Sequence, residues 1–191
     1  MKLTLVRHGE CTLSGTYCGH LDAPLTKKGR EQAQDVAQRL GSVSFEICYR
    51  SPLSRTHETA QVICAHRDFP LVDSPLIKEM NFGRWEGKTY EELSKEFPDL
   101  MKKWISDPPA VSPPGGEPFS SLNTRVRDFL FHLIGKNHED VLIVSHGGVI
   151  AALLLEIYKK PFSEFFQSVP PLGSFQTVEW SGDVSLIGAV R

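Results

Sequence analysis

Leu3-Thr4-Leu5-Val6-Arg7-His8-Gly9-Glu10 opens the chain with a short apolar run that delivers an Arg-His pair into a glycine turn. The run is too short for a stable helix and suits a buried strand, so residues 2–6 are predicted as a first strand with Arg7 and His8 at its tip. A second such point lies late in the chain, in Val141-Leu142-Ile143-Val144-Ser145-His146-Gly147-Gly148. Two buried-strand runs that each end in His-Gly place imidazoles just past strand ends, where the sites of α/β proteins gather.

The segments between these points alternate helix and strand. Thr26 reads as an N-cap for a helix to Leu40, with Ala33, Val36, Ala37 and Leu40 on one face. Residues 45–49 read as a strand, and Ser51-Pro52 opens a helix to about Ala65, proline being tolerated in a first turn. Leu71-Val72 is a short strand, and residues 89–104 are one or two helices broken near Pro98. Residues 107–118, Asp-Pro-Pro-Ala-Val-Ser-Pro-Pro-Gly-Gly-Glu-Pro, cannot hold regular structure and read as a surface connector or a rim over a site. Ser120 or Ser121 then caps a helix carrying Leu122, Val126, Phe129, Leu130 and Leu133 on one stripe. Residues 141–145 form a central strand, 147–158 a helix, and 175–180 with 184–190 a β-hairpin around Ser181-Gly182-Asp183. The pattern predicts a three-layer α/β/α sandwich with a mostly parallel sheet and an antiparallel edge, in a single domain over residues 1–191.

Composition narrows the function. At 191 residues and net charge −2 the chain has no basic field for nucleic acid, so any anion must be held by a local cluster of cations. Its four cysteines, Cys11, Cys18, Cys48 and Cys64, form no C-x-x-C pair and read as scattered free thiols of a reducing compartment. The opening apolar stretch stops at Arg7, too short for a signal peptide, and no run approaches a membrane span; a soluble cytoplasmic protein is expected.

The chemistry-bearing residues sit at corresponding points of the α/β rhythm. Arg7 and His8 follow the first strand, Arg55 opens the helix after the second, and His146 precedes a helix whose first amides, Gly147 among them, favour an anion. They are expected to meet at the carboxyl edge of one sheet. Hydrolysis of a phosphate monoester needs cations on the nonbridging oxygens, an in-line nucleophile and an acid for the leaving oxygen. Arginine suits the first task because its planar fork binds two oxygens at once. Other signals fall away. Gly83-Arg84-Trp85-Glu86-Gly87-Lys88-Thr89 is one residue short of a P-loop and has no strand before it. There is no Gly-x-Ser-x-Gly and no H-E-x-x-H, and the chemistry requires neither metal nor cofactor. His20, His66, His132 and His138 read as surface residues.

Five segments in order resemble the histidine phosphatase superfamily, in its phosphoglycerate-mutase-like branch. They are Arg7-His8-Gly9-Glu10, residues 22–29, residues 51–60, residues 79–87 and Ser145-His146-Gly147-Gly148. The acid phosphatase and phytase branch fits less well, since its opening motif continues with Arg and Pro where this chain has Cys11-Thr12. The resemblance implies that His8 is the nucleophile and becomes a phosphohistidine. It implies that Arg7, Arg55 and His146 hold the phosphoryl oxygens and that Glu79 protonates the leaving group and then activates water. Glu10 and Glu86 are rival carboxylates at positions that are structural in the family. Ser14 stands where the family often has a phosphate-touching Asn, Cys11 where it commonly has Thr, and Gly19 where relatives bring backbone amides to the substrate. Ser14, Gly19 and Gly147 are therefore the candidate substrate-binding residues.

The family's mutases are longer, with inserted segments over the site, so a phosphatase is expected. Size and the stretch from Trp104 to Glu117 are similar to alpha-ribazole phosphatases, which remove the 5′-phosphate of alpha-ribazole phosphate or its cobalamin-bound form. Phe82, Trp85, Trp104 or Phe119 would stack on the flat benzimidazole. The alternatives are a broad-specificity sugar or nucleotide phosphatase, a phosphoglycerate mutase, and a non-catalytic module that binds phospho-ligands.

Overall fold

A computed structural model describes residues 1–182 of the chain. The five strands among them are β1 (Lys2–Arg7), β2 (Ile47–Arg50), β3 (Leu71–Asp73), β4 (Asp140–Ser145) and β5 (Phe175–Glu179), in the order β3-β2-β4-β1-β5. All neighbouring pairs run parallel except β1 with β5, so the antiparallel partner lies on one edge. The helices are α1 (Lys27–Leu40), α2 (Ser54–Cys64), α3 (Tyr90–Glu96), α4 (Pro98–Ser106), α5 (Phe119–Ile134) and α6 (Gly147–Tyr158).

The layers follow from the two-residue period of β4. Val141 and Ile143 join the large core with the apolar faces of α5 and α6. Leu142 and Val144 point the other way, into a smaller core with Val36 and Leu40 of α1 and Ala60 and Ile63 of α2. Because β4 is buried on both faces, truncating Leu142 or Ile143 to alanine costs about 2–5 kcal/mol. This is the three-layer α/β/α sandwich that the strand-helix alternation predicts.

Local signals explain the helices that bear on the site. Thr26 caps α1, its hydroxyl accepting from the Gly29 amide at 3.0 Å and donating to Glu10 Oε1 at 2.9 Å. That cap ties the loop after β1 to the first turn of α1. The crossing is so close that a Cβ on Gly9 would meet the Gly29 carbonyl oxygen at 2.2 Å, and only glycine serves there. Thr89 closes a capping box with Glu92 at the start of α3, and Pro98 separates α3 from α4 as the first residue of the latter.

Several boundaries differ from the sequence reading. β2 begins at Ile47 rather than Phe45, and α2 begins at Ser54, so Pro52 lies ahead of the helix. α5 begins at Phe119 with Pro118 at its N-cap, two residues before the serines expected to cap it. Residues 107–118 contain one 3₁₀ turn, Pro108–Ala110. The second strand expected for the C-terminal hairpin lies outside the described residues.

Candidate active site

Three parallel strands end side by side and set the floor of the site. Arg7 of β1 pairs in register with Ser145 of β4, and Arg50 of β2 with Val144. The chain leaves each strand in step: the His8 amide donates to the Ser145 carbonyl at 3.0 Å and the Ser51 amide to the Val144 carbonyl at 3.1 Å. His8, the Arg55 helix and His146 therefore gather at one sheet edge, as their positions after strands imply.

His8 Nδ1 lies 2.7 Å from the Gly9 carbonyl oxygen. A carbonyl only accepts, so Nδ1 carries the proton and the lone pair of the neutral ring is on Nε2. Burial, with Arg55 and Arg7 nearby, pushes the His8 pKa down to about 3. The ring is thus uncharged at neutral pH and presents a nitrogen nucleophile. His146 is wholly buried, and burial, Arg55 and His8 also lower its pKa. Its Nε2 meets Ser51 Oγ at 2.7 Å, while Nδ1 is buried with no hydrogen-bond partner in the protein.

The two arginines are pinned by carbonyls. Arg7 Nη1 donates to Pro170 O at 2.6 Å. Arg55 donates from Nη1 to Leu21 O at 2.9 Å and from Nη2 to Gly19 O at 2.7 Å. In both, Nε is buried without a partner. Buried donors are nearly always satisfied, so orphans on Arg7, Arg55 and His146 around one imidazole mark a place built for an acceptor. Burial lowers the Arg7 pKa from its usual value, with Glu79 opposing the shift.

Glu79 stands over the start of α6. Its Oε2 accepts from the Gly148 amide at 3.3 Å and its Oε1 from the Met80 amide at 2.9 Å. A carboxylate at a helix N-terminus is favoured by the helix dipole. His20, expected at the surface, instead reaches inward and donates from Nε2 to the Glu79 carbonyl at 2.8 Å. The His20 amide is held in turn by Glu86 Oε1 at 2.7 Å, which also accepts from the Phe82 amide at 3.1 Å. Glu10 is taken up by Thr26 and Lys28. The two rival carboxylates are structural ties.

These groups line a cleft of about 310 Å³. Arg7, His8, Ser14, Gly19, Arg55, Glu79 and Gly147 contribute to its wall, and the buried His146 ring packs against that of His8. Ser14 is already engaged, its hydroxyl accepting from the Cys11 amide at 2.9 Å and lying 3.6 Å from Cys11 Sγ. A Cβ on Gly147 would come within 3.0 Å of Arg7 Cζ, so glycine leaves room for the guanidinium. The far wall is aromatic: Tyr17, Phe82, Tyr90, Trp104, Phe119, Phe165 and Phe166. Trp85, expected near the mouth, is core, packed against Trp104 with ring centroids 5.3 Å apart. None of the described lining residues falls in 107–118; that stretch instead buttresses the loop at residues 81–84, Pro114 O accepting from the Arg84 amide at 2.9 Å.

Sequence reasoning found the charged and imidazole groups and missed their holders, Ser51, His20 and the carbonyls of Leu21 and Pro170. The holders are ordinary residues whose importance arises only when loops meet across the sheet edge, and no local pattern marks them.

Two imidazoles, two arginines and a carboxylate thus meet on one α/β edge, the set of groups that the chain's motifs predict. The chain belongs to the histidine phosphatase superfamily, branch 1, whose family model matches residues 3–189. It is 35% identical over 164 residues to the adenosylcobalamin/alpha-ribazole phosphatase of Escherichia coli K12, covering 84% of this chain and 81% of that one. It is 33% identical to phosphoserine phosphatase 1 of Hydrogenobacter thermophilus, over 87% of this chain and 80% of the relative. The crystal structure of the alpha-ribazole phosphatase from Shigella flexneri superposes with a TM-score of 0.86 at 32% identity, covering 94% of this chain and 90% of that chain. The protein is a phosphatase. Among the described residues no helix is long and apolar enough to cross a membrane.

Proposed function

We propose that the chain is one cytoplasmic catalytic domain that removes the 5′-phosphate of alpha-ribazole 5′-phosphate, or of its cobalamin-bound form, during cobalamin nucleotide-loop assembly. His8 Nε2 attacks phosphorus in line with the leaving alkoxide. Arg7 and Arg55 hold the nonbridging oxygens with their free Nε–H groups, His146 adds Nδ1–H, and the Gly147 amide and Ser14 complete the cradle. Glu79, protonated, gives its proton to the leaving oxygen. As a carboxylate it then takes a proton from the water that attacks the phosphohistidine, which returns His8 and releases phosphate. No step uses a metal.

The observation that carries the substrate reading is the division of the cleft. Its arginines, Arg7 and Arg55, stand at the phosphoryl end, and the described residues of the remaining wall include no Lys or Arg. Seven aromatic rings line that wall, and Tyr90 and Phe166 are exposed at it. A flat, uncharged benzimidazole riboside matches such a surface. Phosphoserine and 3-phosphoglycerate each bring, besides the phosphate, a carboxylate that would find no Lys or Arg on that wall. The similarity to alpha-ribazole phosphatases supports the same choice over phosphoserine.

The test is phosphate release, in chelator, from alpha-ribazole 5′-phosphate beside phosphoserine, 3-phosphoglycerate and simple nucleotide and sugar monophosphates. The reading expects kcat/KM higher for the ribazole ester by about 100-fold, or roughly 2.7 kcal/mol of transition-state discrimination. A flat profile, or a preference for an acidic ester, would overturn it.

A further inference from the structure

The four cysteines, scattered in sequence, meet in two pairs: Cys11 with Cys18, and Cys48 with Cys64. The second pair is packed in the small core under α1 and α2, away from the cleft. The first belongs to the cleft wall. Two consecutive turns bring it together: the Ser14 amide donates to Cys11 O at 2.9 Å and the Thr16 amide to Leu13 O at 3.2 Å. The chain folds back on itself and sets the two thiols beside each other on that wall, Cys11 Sγ accepting from Ser14 Oγ at 3.6 Å and Cys18 Sγ donating to Leu21 O at 3.5 Å. All four side chains are reduced thiols in this structure.

We propose that Cys11 and Cys18 are a peroxide-oxidised modification site, and that their disulfide reversibly shuts off phosphoryl transfer. This rests on the placement of the phosphoryl end given above, not on the identity of the substrate. Contact with Cys18 and Ser14 and the positive charge of Arg55 push the Cys11 thiol down from its usual value, while the Cys18 thiol is pushed up. Cys11, whose sulfur accepts from the Ser14 hydroxyl while the Cys18 thiol donates to Leu21 O, is the sulfur that ionises, and it lines the cleft, which admits hydrogen peroxide or an organic hydroperoxide. Its sulfur attacks one peroxide oxygen and becomes a sulfenic acid, and the other oxygen leaves as water or an alcohol. The Cys18 sulfur then attacks the Cys11 sulfur, and the sulfenic hydroxyl departs as water with the Cys18 proton. Overall two thiols lose two electrons and two protons, and one peroxide becomes two waters, or a water and an alcohol.

The bond acts on the phosphoryl end through short connections. Bonding draws the sulfurs from contact to about 2 Å, which tightens the loop between them. Ser14 lies in that loop, with its hydroxyl on the Cys11 amide. Cys18 precedes Gly19, whose carbonyl anchors Arg55 Nη2 at 2.7 Å. Tightening the loop displaces both the cradle and the arginine.

The experiment treats the reduced full chain with hydrogen peroxide and reads two signals. Trypsin cuts after Arg7 and Lys27, so both cysteines fall in one peptide, residues 8–27, while Cys48 and Cys64 fall in separate peptides. The proposal expects the 8–27 peptide to lose about two daltons, reversed by dithiothreitol. Turnover of p-nitrophenyl phosphate should fall at least about tenfold on oxidation and return on reduction. The ratio of oxidised to reduced activity should stay near one in both Cys11→Ser and Cys18→Ser, and remain as low as wild type in Cys64→Ser. A peptide that gains oxygen instead of losing two hydrogens would overturn the proposal, as would inactivation that persists in both Cys11→Ser and Cys18→Ser. The crosslink is read by mass, so an error in the site assignment, in which the disulfide forms without loss of turnover, is told apart from an error about the thiols, in which no disulfide forms.

Discussion

The His8 and His146 rings lie edge to face, with centroids 5.2 Å apart and an angle of 64° between their planes. Two imidazolium charges at that spacing would repel by about 3 kcal/mol at an effective dielectric of about 20, and both rings are buried beside Arg55 as well. The site therefore keeps both rings neutral. Its positive charge comes from the arginines, and the histidines supply a lone pair and a directed N–H.

Neutral histidines make the fold acid-sensitive. In the unfolded chain a histidine takes up a proton near its ordinary value of 6.5, whereas folded His8 does so only near 3. Between those limits the unfolded state binds more protons. Stability from this source is complete above pH 6.5, declines as pH falls, and is fully lost below about pH 3, with a slope of at most about 1.4 kcal/mol per pH unit for each such group. Thermal melts from pH 7 to pH 4 should show Tm falling, and His8→Asn should show a shallower fall. Parallel curves for the two proteins would contradict the buried neutral ring.

Glu79 is placed to move a proton, so its removal should matter in proportion to the need for one. Glu79→Gln should lower kcat on alkyl phosphates by about 10²–10⁴-fold. With p-nitrophenyl phosphate, whose leaving group departs without protonation, formation of the phosphohistidine should be little changed in a single-turnover burst. Equal losses on both esters would move the acid to another residue.

Ser51 is the partner of His146 Nε2 at 2.7 Å, and His146 Nδ1 has none. Ser51→Ala leaves a fully buried imidazole with neither nitrogen bonded. That should cost about 1–3 kcal/mol, or roughly 3–10 °C in Tm for a chain of this size. A melt within a degree of wild type would show that the bond contributes nothing.

Gly147→Ala tests whether the Arg7 guanidinium must stay where it is. The new methyl would meet Arg7 Cζ at 3.0 Å and Nε at 3.1 Å, as well as Val169 Cγ1 at 2.9 Å. Long side chains yield, so the expected stability loss is small, while the displaced guanidinium should lower kcat/KM by about tenfold or more. Unchanged kinetics would mean that Arg7 is not held in a working position.

Where signals are local, the sequence was enough. Helix α6 runs from Gly147 to Tyr158 as read, because His-Gly-Gly ends an apolar strand and the helical pattern starts at once. The Thr26 cap and the Pro98 break are equally local. The start of α5 was misplaced because a proline with its fixed φ serves as the boundary where a serine side chain was expected to cap. In the site, motif spacing located His8, Arg7, Arg55, Glu79 and His146. It could not show that Ser51 meets His146 from 95 positions away or that His20 meets the Glu79 backbone from 59. It also could not separate Trp85, sealed in the core, from the aromatic residues that face the cleft, since a tryptophan in a loop carries no periodicity to say which way it points.

The central claim, that His8 Nε2 carries the phosphoryl group, is tested most directly by trapping it. Protein mixed with substrate and quenched in base within a turnover should yield a phosphoryl adduct on the 8–27 peptide, localised to His8 by fragmentation and removed by brief acid. His8→Ala should give no adduct, with turnover down by about 10³-fold or more in a protein that still folds. An adduct on another residue, or full turnover by His8→Ala, would contradict the mechanism.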